Sequence, residues 1–253
     1  MVLSLLCYAN GMKRFYVNKP LNVDTQVKID GIEHNHIKNV MRMVEGDEII
    51  LVCGDDYDYM ATIVKITKGD TTVEITNKQF NEFNPKSNVS VFQALVKSDN
   101  MSLIVQKLTE LGVKDFYPFE SDFITSKDKF GKSGKLQEIS NQSIKQCKRS
   151  IPMTVHDTLA FNDLLHKLGE YDLIVFANEC EKNEVLNQDC IHKASKVAIV
   201  VGSEGGFSQK EIDLLISNNA QSVSLGRRIL RAETAAIALT SVVMFLMGEW
   251  SYE

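Results

Sequence analysis

The chain has 253 residues, 44% of them apolar and 24% charged, with a formal net charge of −5. This is an ordinary soluble composition, long enough for one large domain or two smaller ones, and it holds no internal repeat or low-complexity run. The five cysteines (Cys7, Cys53, Cys147, Cys180, Cys190) are scattered and lack CxxC spacing, which excludes a disulfide framework or zinc site and implies reduced thiols in a cytoplasmic protein.

The opening stretch, residues 1–11, lacks the basic flank of a signal peptide, and Leu6 stands where a lipoprotein cleavage site needs a small residue. It reads as a disordered extension, or as a start placed upstream of Met12. From Lys13 to about Asn81 the runs KRFYV, TQVKI, DEIILV, YMATIVKI and TTVEIT are short, rich in β-branched or aromatic residues, and separated by turn residues. With one helical interlude, HNHIKNVMRM, they predict a small closed or half-closed β-barrel. His34 and His36 in that interlude have no third ligand nearby, so no metal is expected. Residues 81–87 read as a linker.

Val89–Lys97 reads as a strand. Ser98 or Asp99 is positioned to cap a helix whose stripe is Met101, Ile104, Val105, Leu108 and Leu111, with Gly112 closing it. A strand DFYPF follows, then a polar helix over about Lys132–Lys148. Between Lys127 and Arg149 seven basic residues (Lys127, Lys129, Lys132, Lys135, Lys145, Lys148, Arg149) face two acidic ones, a local +5. Such a run is either a solvated helix face or a phosphate-binding field, which an acidic average does not forbid. YDLIVFA and KVAIVV are continuous apolar runs, as in strands buried on both faces. Ser208 and Glu211 have capping-box spacing. Alternating strands and helices predict a parallel α/β sheet. The last helix, about Glu233–Gly248, is apolar nearly all round. Its run Ala235–Met247, interrupted by Thr240 and Ser241, is too short to span a bilayer.

Two segments carry the chemistry. VGSEGGFSQKEID (Val201–Asp213) and LGRRILRAETAAIAL (Leu225–Leu239) each leave a strand through a glycine-bearing loop and enter a helix. The spacing of Gly202, Gly205 and Gly206 fits neither the dinucleotide fingerprint nor the Walker A loop. Gly131-Lys132-Ser133 fails as a Walker motif because Ser126 stands where glycine is needed. Bare backbone in both loops suits close approach to a nucleotide-like ligand.

Together these segments resemble the SPOUT methyltransferase superfamily and, within it, the family that methylates N3 of a uridine in bacterial small-subunit (16S) ribosomal RNA. The resemblance runs from about Met12 to the end. It implies an α/β fold in which residues 88–253 form a SPOUT-type domain with a deep trefoil knot, the chain after about Tyr171 threading through itself. It also implies a PUA-like RNA-binding β-barrel over residues 12–82, seen in RFYV, HIKNVMRMVEGDEI and the Val-Cys-Gly turn. The implied cofactor is S-adenosylmethionine, held mainly by main chain at Phe176, Asn178, Glu179, Gly202, Ser203, Glu204, Gly205, Gly206, Phe207, Leu225, Gly226, Arg228, Ile229 and Leu230. The implied partners are small-subunit ribosomal RNA or the assembled subunit, and a second copy of the chain packed through the last helix.

Methyl transfer is an in-line displacement, so alignment is the first requirement. Uridine N3 must also lose a proton. Arg228 and Arg231 are candidates for the positive field, and Glu204 and Glu233 for the base or for anchoring the loops. Lys13, Arg14, Lys38, Arg42, Lys145, Lys148 and Arg149 are the candidates for RNA contact. The chain departs from the family's usual residues at Ser203, Arg227, Ala232, Asn100 and Asp122, and residues 146–152 form a shorter segment lacking a second arginine. These departures touch the expected RNA contacts more than the donor loops. Rival readings are a ribose 2′-O methyltransferase of the same superfamily and a non-catalytic RNA-binding assembly factor.

Overall fold

The computed structural model describes residues 12–124, 134–181, 186 and 188–251. The expected extension over residues 1–11, and Lys127, Lys129 and Lys132 of the basic run, lie outside them. The chain divides into two compact units, Met1–Asn84 with Asn141–Pro152, and Pro85–Ser140 with Met153–Glu253.

In the first unit, β1 (Lys13–Tyr16), β2 (Gln26–Ile29), β3 (Glu48–Val52), β4 (Tyr57–Ile66) and β5 (Thr71–Phe80) form one sheet in the order β1-β3-β4-β5-β2. β1 and β3 are parallel and the other pairs antiparallel. β1 and β2 remain edges, which is the half-closed form of the expected barrel. The helical interlude is a short α1 (Gly31–Asn35) running into a π-turn at His36–Val40. His34 is buried, with Nδ1 2.8 Å from Thr71 Oγ1 and Nε2 3.3 Å from the Lys68 carbonyl.

β3 explains why residues 141–152 belong here. Successive strand residues face opposite sides. Ile49 and Leu51 enter the main core with Phe15, Ile63 and Val73. Ile50 and Val52 point the other way and are covered by Ile144. The expected linker is also built in at its start. Asn81 Nδ2 donates to Asp58 Oδ1 at 2.7 Å and to the Lys148 carbonyl at 2.9 Å, and Asn84 Nδ2 donates to Ser150 Oγ at 2.8 Å.

The second unit contains β6 (Asn88–Ala94), α2 (Ser98–Leu111), β7 (Asp115–Phe119), the first half of α3 (Gly134–Cys147), β8 (Thr154–Val155), α4 (Phe161–Leu168), β9 (Leu173–Ala177), α5 (Gln188–Lys193), β10 (Lys196–Val201), α6 (Gln209–Ser217), β11 (Gln221–Val223) and α7 (Ala232–Leu246). Its six strands are all parallel, in the order β11-β9-β10-β6-β7-β8. Alternate residues feed two cores. Val89, Val91, Val197 and Ile199 face α2 and α7, while Phe92, Ala94, Ala198 and Val200 face α4 and α6. Apolar burial on both faces is why these strands read as unbroken apolar runs.

The helix ends follow local chemistry. Ser208 and Glu211 form the expected capping box, Ser208 N–H donating to Glu211 Oε2 at 2.8 Å and Glu211 N–H to Ser208 Oγ at 3.2 Å. Gly112 ends α2 at φ +99°, and a Cβ there would lie 2.7 Å from Met244 Cε. At the start of α2 the sequence expectation shifts by one residue. Lys97 is the N-cap, and neither Ser98 nor Asp99 caps the helix through its side chain. On α7, Ala235, Ala236, Leu239, Val243 and Met244 are buried, whereas Val242 and Phe245 are exposed. Among the described residues no helix is long and apolar enough to cross a membrane.

Candidate active site

Ligands in open parallel sheets sit at the carboxyl ends of the strands. The loops leaving β9, β10 and β11 meet there, around a cavity of about 530 Å³ within the second unit. Their backbones are cross-braced. Asn178 N–H donates to the Val223 carbonyl at 3.1 Å, and Asn178 Nδ2 to Ser222 Oγ at 3.1 Å. Gly206 N–H donates to the Ser203 carbonyl at 3.0 Å, and Ser203 Oγ to the Phe123 carbonyl at 3.0 Å. Beneath the second loop lies the fully buried Gln93, whose Nε2 donates to the carbonyls of Gly202 and Ala94, both at 3.0 Å. Two turns need glycine, since Gly206 has φ +71° and Gly226 φ +95°.

The cavity wall gathers most of the expected donor-site residues: Asn178 and Glu179 from the first loop; Gly202, Ser203, Glu204, Gly206 and Phe207 from the second; Leu225, Gly226, Arg228, Ile229 and Leu230 from the third. All four catalytic candidates line it, Arg231 and Glu233 beside the Arg228 and Glu204 already named. Phe176 and Gly205 do not. Phe176 is buried in the core below, edge-on to Phe207 at 5.9 Å. A Cβ on Gly205 would meet Phe123 Cβ at 2.8 Å, so the bare backbone there makes room for Phe123 and not for a ligand. Ala177 and Arg227, within the expected loops though not singled out, line it too, and sequence reasoning missed Lys97, Asn100, Val201, Ala232 and Ala235. Ala177 and Val201 are strand-end residues beside expected ones. Lys97 and Asn100 come from the β6–α2 junction, whose place beside β10 only the strand order reveals.

The wall carries both signs of charge. Arg227, Arg228 and Arg231 are exposed, and Ile229 between them is 82% exposed. Asn100 Nδ2 lies 3.4 Å from Glu233 Oε2, and the Lys97 N–H lies 3.5 Å from Glu204 Oε1. Arg231 is the N-cap of α7 and makes no side-chain cap bond.

The residues expected to grasp RNA are less uniform. Lys13 and Arg42 are exposed, Arg42 at φ +53°. Arg14 instead forms a nearly buried two-pronged pair with Asp58, one arm at 2.8 Å. Lys145 Nζ sits 2.9 Å from Glu33 Oε1 with both side chains about nine-tenths buried, and Arg149 is 2% exposed. Lys38 Nζ donates to the Thr67 carbonyl at 2.6 Å, and Lys148 Nζ lies 5.4 Å from the Phe83 ring centre.

The profile of the RNA methyltransferase domain family matches residues 83–244, and that of the RNA methyltransferase PUA domain matches residues 29–76. The chain is 31% identical to the ribosomal RNA small subunit methyltransferase E of Rickettsia conorii, over 92% of this chain and 95% of that protein. It is 30% identical to the Bacillus subtilis protein of the same name, over 92% and 96%. The crystal structure of the Neisseria gonorrhoeae ribosomal RNA small subunit methyltransferase E, bound to S-adenosyl methionine, superposes with a TM-score of 0.85 at 26% identity, covering 95% of this chain and all of that one. With a methyltransferase fold in the second unit and a PUA-like domain in the first, the chain belongs to the family of ribosomal RNA small subunit methyltransferases E.

Proposed function

We propose that the chain transfers a methyl group from S-adenosylmethionine to N3 of a uridine in small-subunit ribosomal RNA. The observation that carries this reading is the cavity itself. Three backbone-rich loops at the strand ends enclose a ligand-sized space beside exposed arginines, in a member of a family whose Neisseria gonorrhoeae structure holds S-adenosyl methionine.

The residues present suit that donor. Leu225, Leu230, Val201 and Ala235 offer apolar wall for a purine. Glu179 and Glu204 offer negative charge to an ammonium or sulfonium. Arg231 and the uncapped first turn of α7 offer positive potential to a carboxylate. When bound, the donor supplies an electrophilic methyl carbon. The protein's own work is to align the uracil and help N3–H ionise. Arg228 and Arg231 favour the negative charge that develops on the base. In this reading Glu233, with Asn100 Nδ2 3.4 Å from its Oε2, takes the proton.

The same reading includes a cytoplasmic homodimer and a trefoil knot. Exposed Val242, Phe245 and Trp250 on and after α7 are the surface we assign to the second copy. Threading is supported by the order β11-β9-β10, in which neighbours are not consecutive while their three loops crowd one cavity. Light scattering should give twice the monomer mass at micromolar protein, and a monomer would remove the dimer.

The deciding experiment is mass spectrometry of 16S ribosomal RNA from a deletion strain, before and after incubation with purified protein and donor. Restoration of one N3-methyluridine is expected. A ribose-methylated product, or none, would overturn the proposal.

A further inference from the structure

Lys97 is the lysine of the cavity wall, and the reading above gives it no task. Its ammonium is exposed and meets no acceptor among the described residues. Its backbone, by contrast, is held firmly. It follows buried Leu95 and Val96 at the end of β6, inside the sheet between β10 and β7, and its carbonyl accepts from Met101 N–H at 2.9 Å. The arginines of the same wall instead hang on Gly226–Arg231, a stretch exposed at every residue but Leu230. Lys97 is also the N-cap of α2, a helix of 14 residues with no side chain capping its first amides, so the helix adds positive potential at the same spot. Asn100, one turn on, reaches Glu233 across the cavity at 3.4 Å.

We propose that Lys97 is a catalytic residue of the methyl transfer. Its ammonium holds a carbonyl oxygen of the target uracil and stabilises the imidate formed when N3 ionises. This rests on the uridine-N3 reading above. The N3–H bond breaks, its proton passing to Glu233 or solvent and its electron pair delocalising over N3, O2 and O4. The N3 pair then forms the bond to the methyl carbon as the carbon–sulfur bond breaks and its electrons return to sulfur. A compact ammonium on a rigid mount suits this task, because charge stabilisation is strongest when the donor need not reorganise.

The test compares the parent with Lys97→Met and Lys97→Arg, using the uridine mapped by mass spectrometry. Single-turnover rates for Lys97→Met should fall on the order of 10²-fold at neutral pH, the usual effect of losing one such donor. Donor affinity by calorimetry and RNA affinity by anisotropy should stay unchanged. The rate should keep rising with pH where the parent has levelled off. Lys97→Arg should recover part of the loss. A 5-fluorouridine at the target, whose N3 is more acidic, should restore most of the Lys97→Met rate. Its fluorine resonance in the complex should titrate at lower pH with the parent than with Lys97→Met.

A fall in donor affinity would place Lys97 in the donor site, and a flatter salt dependence of RNA binding would make it a phosphate contact. Either result overturns the proposal, as does an unshifted pH profile or no rescue by 5-fluorouridine. If the parent itself leaves N3 unmethylated, the underlying reading fails. If the parent methylates N3 and Lys97→Met matches it, only the assignment of Lys97 fails.

Discussion

Three cations of the first unit and four of the second are held in opposite ways. In the first, Arg14 is locked onto Asp58, Lys145 onto Glu33, and Arg149 is 2% exposed. In the second, Lys97, Arg227, Arg228 and Arg231 line a cavity, exposed and without an ion pair among the described residues. A buried pair is expensive to break, because the survivor is left as an uncompensated charge. An exposed cation on a concave wall costs the fold little and stays available to a ligand. Basic residues in a sequence therefore do not announce a binding surface by their number. What decides is whether a carboxylate from a distant part of the chain reaches them first.

The sharpest way to break this contrast is Asp58→Ala. It strands a guanidinium whose side chain is only 7% exposed, and removes the acceptor of Asn81 Nδ2 at 2.7 Å. A loss of about 3–5 kcal/mol is expected in urea unfolding. Replacing both partners by apolar residues, Arg14→Met with Asp58→Leu, should recover most of it. If Asp58→Ala unfolds at the parent's midpoint, Arg14 is not held by this pair and returns to the candidates for RNA contact.

The converse variant lies in the cavity. Arg231→Glu should leave the urea midpoint within about 0.5 kcal/mol of the parent, as exposed substitutions usually do. Its methylation rate should fall on the order of 10²-fold through loss of positive field. A stability loss as large as that of Asp58→Ala would show that Arg231 serves the fold, and the contrast between the units would fail.

These charges also mark what could be read from the sequence. β9 and β10 were legible because a strand buried on both faces must be apolar throughout, and the capping box because Ser208 and Glu211 are only three residues apart. The third loop was legible because its glycine and arginines are contiguous. The return of residues 141–152 to the first unit was not. Ile144 covers the back of β3, and no local pattern encodes which of two sheets a hydrophobe will cover. Lys97 was missed for the same reason, since Glu204 is 107 positions away and Glu233 lies farther still. Gly205 was misread because spacing alone cannot separate a glycine that admits a ligand from one that admits Phe123.

Gln93 gives a smaller effect that joins core to cavity. Gln93→Leu removes the bonds that Nε2 donates and also a buried Oε1 that meets no donor among the described residues, so global stability should change little. The Gly202 carbonyl loses its brace. Donor affinity by calorimetry should weaken about tenfold, the equivalent of one ordinary hydrogen bond of about 1.4 kcal/mol. Unchanged affinity would mean that the second loop holds its shape from its own turn.

The smallest effect separates the units by thiol chemistry. Cys180, beside the cavity loops, is exposed. Cys53 lies in the first unit, where burial and then the nearby Asp55 carboxylate push its pKa up to about 11. Only the thiolate is nucleophilic, so alkylation at pH 8 should reach Cys180 first and Cys53 on the order of 10²-fold more slowly, read by peptide mass spectrometry. The linkage has a definite sign. The folded chain keeps a proton that an unfolded thiol gives up, so this contribution is present below pH 9 and is lost as the pH rises towards about 11. Cys53→Ala should therefore flatten the alkaline side of the stability profile slightly and leave the neutral side unaltered in slope. Asp55→Asn should speed Cys53 alkylation, because it removes the charge but not the burial. Equal labelling of both thiols at pH 8 would show that the turn at Cys53 opens readily, and that the first unit is less tightly closed around its charges than the buried pairs indicate.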